Sequence, residues 1–169
     1  MIMEISSVSS FISYYGKIRA RTKNLVAVVP PGQLEWTYRP GKYTIGDIIR
    51  HIACIERCMY AETIAGRKSA YRGCDTSIAS GYDNVLQLFD VLHEESLAIF
   101  RSLSDDDLNR KCTTPAGHPI TIWKWLRAFV EHEVHHRGQL YIYLGMLEVK
   151  TPPIFGLTAE EVAQLSGGM

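Results

Sequence analysis

The sequence predicts an all-α protein, a four-helix bundle, and two observations carry this prediction. Four long stretches repeat apolar residues every three or four positions, which is the period of an amphipathic helix. No segment alternates apolar and polar residues between hairpin turns, as a half-buried strand would. Four such helices account for most of the 169 residues, so we expect one domain, 1–169.

The first two helices have clear boundaries. Helix one is expected over 6–29, where a Pro-Pro-Gly run ends it. A loop rich in aromatic and turn-forming residues follows at 33–43. Helix two is expected over 44–66, because Thr44 and Asp47 have the spacing of a capping box. The apolar stripes are Phe11, Tyr15, Ile18, Leu25 and Val29 on helix one, and Ile45, Ile48, Ile52, Ile55 and Met59 on helix two.

The second half of the chain holds the other two helices. A polar, glycine-containing segment at 67–81 leads to helix three, expected over 82–103. A loop at 113–119 precedes helix four, expected over 120–147, after which Pro152 and Pro153 end the regular pattern. The connections before and after helix three are both long enough to cross the bundle, so periodicity leaves the topology open. The stripes here are Leu86, Phe89, Leu92, Leu97 and Phe100, and Trp125, Phe129, Leu140, Tyr143 and Leu147.

Composition excludes several classes of protein. Lysine plus arginine equals aspartate plus glutamate at 18 each, whereas a general nucleic-acid binder needs a basic surplus. No apolar run approaches the ~20 residues of a membrane span, so no membrane partner is expected. The first 23 residues lack the apolar core of a secretory signal. We therefore expect the four cysteines to be reduced and the protein to be cytoplasmic.

Three histidines lie on core-facing stripes. His132 and His136 are four residues apart on helix four, hence one above the other, and His51 falls beside Ile48 and Ile55 on helix two. Burying an imidazole group without a partner costs about 1–3 kcal/mol. A divalent metal would use one nitrogen of each ring: Zn²⁺ suits this set, and Ni²⁺ or Fe²⁺ would also accept it. Alternatively, each ring is an ordinary core or rim histidine.

The same residues carry a resemblance to a known family. The stretch from His132 to Gln139 reads H-E-V-H-H-R-G-Q, which resembles the H-x-x-x-H-R-G-Q signature of DinB-like (damage-inducible) metal-binding bundles. The stretch from Tyr43 through His51, with Arg39-Pro40 before it, is similar to the segment that carries the first ligand in that family. The likeness extends over nearly the whole chain.

The resemblance implies a fold, a site and a chemistry. It implies an up-down-down-up four-helix bundle, usually a homodimer, with His51, His132 and His136 as ligands of a divalent metal, most readily Zn or Ni. Family members with assigned activity transfer or isomerise with a low-molecular-weight thiol such as bacillithiol, mycothiol or glutathione. We therefore expect a metal-dependent thiol S-transferase acting on a small electrophilic molecule.

Two other functions remain open at the level of sequence. His132, Glu133 and His136 also form a literal H-E-x-x-H, the zinc metallopeptidase pattern in which the glutamate is the general base. Glu160 or Glu161 would then supply the third ligand. The other alternative is a non-catalytic metal-binding module with a role in stress response.

Several neighbouring residues have competing interpretations. His93 is a core histidine, a fourth ligand or a proton shuttle. Glu133 lies near the metal or is exposed or salt-bridged. His135 is expected at the rim and His118 in a turn. Cys54 and Cys58 would give a His-Cys-Cys site with His51, although small buried cysteines are more common on a packing face.

Helix four also has a second apolar stripe, roughly opposite His132. This stripe suggests a surface buried against a second subunit, unless helix one or the tail covers it. It consists of Trp123, Val130, Val134 and Tyr141.

Overall fold

Four long helices dominate the computed structural model, which describes residues 4–167. The second helix is a single rod with a wider, π-helical turn inside it. A small β-hairpin precedes the fourth helix, and a fifth, short helix follows it. The elements are α1 (Val8–Val26), α2 (Ile45–Ile55, then π-helical Glu56–Ala61 and α-helical Glu62–Ile64), α3 (Tyr82–Arg101), β1 (Lys111–Thr113), β2 (Pro119–Thr121), α4 (Ile122–Met146) and α5 (Ala159–Ser166).

Cross-helix contacts define the order of the bundle. Tyr15 of α1 forms a hydrogen bond with Glu133 of α4, and Ile18 forms one with Arg137. The partners follow each other in the same direction along both sequences, so α1 and α4 run parallel. The early residues of α1 pack with the last residues of α2 and α3, and its late residues pack with their beginnings. Both middle helices therefore run opposite to α1. The up-down-down-up order implied by the family resemblance is confirmed.

The interior consists of two apolar clusters with a polar layer between them. One cluster, around Phe11, Phe100 and Phe129, fills one end of the bundle. The other, around Leu25 and Ile48, fills the opposite end. Between them lie the buried charged residues Arg19, Glu56, Glu133 and Arg137. Buried charges need partners, so this layer fixes how the four helices face each other.

The capping box predicted for helix two is present. Thr44 Oγ1 accepts from the Asp47 N–H at 2.9 Å, and the Asp47 carboxylate accepts from the Thr44 N–H at 2.9 Å. These two bonds satisfy donors that the first helical turn leaves unpaired, and so they set where α2 begins.

Three local features differ from the sequence-based expectations. The expected loop at 113–119 is flanked by β1 and β2, whose three-residue strands are too short to show alternation. The tail carries α5, which begins at a capping box formed by Thr158 and Glu161. The π-helical turn of α2 contains no proline or glycine that would mark it in the sequence.

The second apolar stripe of helix four is largely covered within the chain. Trp123 and Val130 are buried in the cluster that contains Phe11 of α1, and the Tyr141 hydroxyl donates to the Pro152 carbonyl at 2.7 Å. Only Val134, at 40%, is exposed. This stripe therefore gives little area for a subunit interface, and homodimer formation stays a prediction for light scattering to test.

No helix within residues 4–167 combines the length and the apolar character that crossing a membrane requires.

Candidate metal centre

The three histidines singled out in the sequence converge in the bundle. His51 comes from α2, and His132 and His136 come from successive turns of α4. The Nε2 atoms of His51 and His132 are 3.1 Å apart, and the His136 ring centroid lies 4.5 Å from that of His51 and 4.4 Å from that of His132. Each ring offers one nitrogen such that all three nitrogens lie within 4.8 Å of one another.

This nitrogen set fits a divalent metal. Two nitrogens that bind the same ion at about 2.0–2.1 Å, with tetrahedral or octahedral angles, are about 2.8–3.4 Å apart. The 3.1 Å separation of the His51 and His132 nitrogens falls in that range. Three protein ligands leave a coordination position for water or substrate, which is the arrangement of catalytic zinc sites.

Burial keeps these rings uncharged. Desolvation, with a smaller contribution from His136, lowers the pKa of His51 from 6.5 to about 4. Desolvation and the neighbouring histidines lower the pKa of His132 to about 3, and desolvation also lowers the pKa of His136. A neutral imidazole presents the lone pair that a metal needs, so protons compete weakly for this site at neutral pH.

Two side chains contact the Nδ1 atoms of the rings, on the side away from the centre of the site. The Tyr71 hydroxyl lies 2.8 Å from His51 Nδ1, and the Gln139 Oε1 lies 2.7 Å from His136 Nδ1. A hydrogen bond at Nδ1 fixes the orientation of the ring and directs Nε2 towards the centre. This contact gives Gln139, the last residue of the signature, a role that the sequence alone did not explain.

Arg50 joins the two loops that frame the site. Its guanidinium is fully buried and forms salt bridges with Glu35 at 2.8 Å and Asp47 at 2.8 Å. It also donates to the carbonyls of Cys74 at 2.8 Å and Ala79 at 3.0 Å. Arg50 precedes His51 in α2, so one turn of helix supplies both a candidate ligand and the anchor of the surrounding loops. Helical periodicity gives no signal for a role of Arg50, because its partners come from segments without periodicity.

Glu133 faces away from the three histidines. It is fully buried, and its carboxylate accepts from the Tyr15 hydroxyl and from Thr22 Oγ1, each at 2.6 Å. The Arg19 guanidinium also forms an ion pair with the Glu133 carboxylate at 3.3 Å. Glu133 is thus salt-bridged, as one interpretation held, but it is neither exposed nor beside the metal centre.

These contacts argue against a metallopeptidase. The general base of an H-E-x-x-H site must reach the metal-bound water, whereas both carboxylate oxygens of Glu133 are engaged with α1. Glu160 and Glu161 lie on exposed α5, and neither joins the three-histidine group.

The remaining candidates also lie outside the group. His93 Nδ1 pairs with Glu56 at 2.9 Å in the polar layer, so it is a core histidine. His135 is exposed at the rim, as expected. Cys54 and Cys58 are free thiols, and the potential metal ligands that converge within residues 4–167 do not include them.

Relatives identified by sequence match parts of the chain. The family model of the DinB superfamily matches residues 14–140. YjoA, an uncharacterized protein of Bacillus subtilis, is 34% identical over 53 residues, which cover 30% of this chain and 34% of YjoA. The chain thus aligns with about a third of that curated relative.

Solved structures with the same fold cover most of the chain. A DinB-like protein from Bacillus cereus has a TM-score of 0.75 at 16% identity, covering 88% of this chain and 97% of that one. YfiT from Bacillus subtilis, a probable metal-dependent hydrolase with an unusual four-helix bundle topology, has a TM-score of 0.65 at 22% identity, covering 85% and 89%. The mycothiol-dependent maleylpyruvate isomerase has a TM-score of 0.56 at 18% identity, covering 79% and 60%.

The family-model match extends over about three quarters of the 169 residues and includes all three converging histidines. The chain belongs to the DinB superfamily.

Proposed function

We propose that this chain is a metal-dependent enzyme that joins a low-molecular-weight thiol to a small electrophile, with the metal held by His51, His132 and His136. One observation carries the proposal: three neutral imidazoles from two helices meet within 4.8 Å, and hydrogen bonds orient two of them from behind. A set of core histidines without a ligand would not need its ring nitrogens directed at one point.

The side chains of the site have distinct tasks in this proposal. A divalent metal bound here supplies Lewis acidity, which lowers the pKa of a thiol or water at the open position. The histidines bind it without first losing protons, because their pKa values are already depressed. Tyr71 and Gln139 keep the rings aligned, and Arg50 keeps the segment after Tyr71 in place.

In the transfer step, the thiol sulfur forms a bond to an electrophilic carbon. The thiol proton passes to solvent, and the displaced group leaves with its bonding electron pair. Thiol dependence is supported by the family resemblance of the signature and by the shared fold of the mycothiol-dependent maleylpyruvate isomerase.

Metal-assisted hydrolysis is the second candidate. The same open position would take water in place of a thiol, and the fold shared with YfiT, a probable metal-dependent hydrolase, favours it. The two candidates differ in one measurable requirement, since only the transferase consumes a thiol.

Metal analysis of the purified protein is the first test. We expect about one Zn²⁺ or Ni²⁺ per chain, lost in His136→Ala and retained in His135→Ala, the matched control at the exposed neighbouring position. The metal-loaded protein is then incubated with bacillithiol, mycothiol or glutathione and a panel of electrophiles, and the loss of free thiol is measured.

The outcomes separate the candidates. Thiol loss that needs both the electrophile and the metal supports the transferase. Product formation without thiol supports the hydrolase. Turnover that persists in His136→Ala or after chelation would refute both.

A further inference from the structure

A small cleft lies beside the candidate metal centre and is separated from its histidines by Tyr43 and Gln139. Its volume is about 280 Å³, enough for a ligand of one ring. Two of its lining residues touch the histidines: the Tyr43 ring centroid is 5.8 Å from that of His51, and Gln139 bonds to His136. The lining residues are Tyr38, Gly41, Lys42, Tyr43, Gln139 and Tyr143.

Three of the lining residues are tyrosines, held in an ordered wall. The Tyr38 and Tyr143 ring centroids are 5.6 Å apart at 77°, and Trp36 supports Tyr143 edge-on at 5.7 Å. Tyr143 is buried, whereas Tyr38 and Tyr43 are 50% and 48% exposed. Aromatic rings that are half-exposed around a cleft offer edge-to-face and stacking contacts to a planar ligand.

A hydrogen-bonded turn presents Lys42 beside these rings. Pro40 and Gly41 occupy the two central positions of the turn from Arg39 to Lys42, with Gly41 at φ 78° and a 3.2 Å hydrogen bond from the Lys42 N–H to the Arg39 carbonyl. Proline followed by a positive-φ glycine is the pattern of a type II turn. The turn fixes the backbone from which the lysine side chain extends.

Among the residues that the structure describes, Lys42 is the one charged residue that lines the cleft. No carboxylate oxygen within residues 4–167 comes within 4.0 Å of its Nζ, whereas Lys23 pairs with Asp90 at 2.8 Å. The cleft therefore combines aromatic walls with one uncompensated cation.

From this juxtaposition we propose that the cleft binds the electrophilic substrate, and that this substrate is a planar aromatic carboxylate. Its ring lies among Tyr38, Tyr43 and Tyr143, and its carboxylate pairs with Lys42. The identification of this ligand as the substrate rests on the proposed function, because the reaction is proposed to occur at the adjacent metal centre. That the cleft binds such a ligand rests on the lining residues alone.

Direct binding tests the proposal without turnover. Benzoate is titrated into the metal-loaded protein and into the chelated protein, and binding is followed by calorimetry and by ligand-observed NMR. Benzamide has the same ring without the charge, and cyclohexanecarboxylate has the charge without the aromatic ring. We expect benzoate to bind in the millimolar range, with and without metal, and both analogues to bind at least threefold more weakly.

Variants locate the two contacts. Lys42→Met keeps most of the length of the side chain and removes its charge, and should weaken benzoate binding about three- to fivefold, the upper part of the range for an exposed ion pair. Tyr38→Leu should weaken it by about fivefold through the lost aromatic contact. Lys17→Met, at an exposed position of α1 away from the cleft, is the matched control and should leave affinity unchanged.

Each result decides the matter. Benzoate binding that chelation abolishes and Lys42→Met leaves intact places the acid on the metal and overturns the proposal. Equal affinity for benzamide or for cyclohexanecarboxylate also overturns it, as does the absence of benzoate binding. If benzoate binds as expected but no thiol is consumed with any electrophile, the proposed function fails while the aromatic-acid site stands.

Discussion

Replacing Glu133 by glutamine separates the two roles that a glutamate in H-E-x-x-H could have. The change keeps the shape of the side chain and removes its charge in the buried polar layer. Glu133 accepts two 2.6 Å bonds, from Tyr15 and Thr22, and pairs with Arg19 at 3.3 Å. A hydrogen bond to a charged group contributes about 1.5–3 kcal/mol and a neutral one about 0.5–1.5 kcal/mol, so the two bonds together lose about 2 kcal/mol.

The weakened contact with Arg19 adds about 1 kcal/mol, because Arg19 retains its 2.6 Å pair with Glu56. We therefore expect Glu133→Gln to lower the free energy of unfolding by about 3 kcal/mol and the melting temperature by about 6–12 °C. Metal affinity and metal-dependent turnover measured at 20 °C should stay within twofold of the unchanged protein. Glu131→Gln, on the exposed side of α4, should change the free energy of unfolding by less than about 0.5 kcal/mol.

Calorimetry or urea denaturation, together with metal titration, measures these quantities. A Glu133→Gln protein that is as stable as the unchanged protein but has lost turnover would show that the carboxylate acts at the metal. That result would refute the structural role assigned here and restore the metallopeptidase interpretation.

Three further predictions concern the site and its frame. Gln139→Leu should weaken metal affinity about 10- to 100-fold, measured by competition with a chromophoric chelator, because His136 loses its orienting bond. The metal-free protein should lose stability as pH falls from 6.5 towards 4, measured as melting temperature, because the pKa values of His51 and His132 are depressed and the unfolded chain binds protons first. Arg50→Met should lower the free energy of unfolding by about 2–5 kcal/mol in urea, because the carbonyls of Cys74 and Ala79 lose their hydrogen-bond donor.

Each of these predictions has a control and a contrary outcome. Gln139→Glu keeps an acceptor for His136 and should retain most of the metal affinity; equal losses in both variants would contradict the orienting role. In His132→Asn, the melting temperature of the metal-free protein should fall less steeply between pH 6.5 and 4. An unchanged dependence of melting temperature on pH would show that other groups cause the loss of stability. Arg57→Met, at a partly exposed arginine about two helical turns after Arg50, should cost far less stability than Arg50→Met.

The main features of the site could be predicted because they depend on helical periodicity. Residues four apart on one helix must lie on one face, so the proximity of His132 and His136 could be predicted without knowing which residues surround them. His51 followed from the apolar stripe around it. The position of Glu133, about 100° from His132 on the helix, left open whether it lies near the metal, is exposed or is salt-bridged. Its partners could not be identified from the sequence, because Tyr15 and Thr22 lie more than a hundred residues away.

The parts that escaped prediction depend on irregular segments. Tyr71 lies in a stretch without periodicity, and only the folded chain brings its hydroxyl to His51. In the sequence, Arg50 resembles an ordinary polar helix residue. Two of its hydrogen-bond acceptors are carbonyls of the 67–81 segment, which approach it only in the folded chain. The hairpin strands have three residues each, fewer than a pattern of period two needs to be recognised.

The π-helical turn at Glu56–Ala61 bears on how the family should be aligned. A π turn accommodates one more residue than an α turn, and it lies after His51 and before Thr63. Matching this rod to a homologue that lacks the turn requires a one-residue gap in the middle of a helix. An alignment that forbids such gaps would rotate every downstream position by about 100° and would exchange interior residues for surface ones.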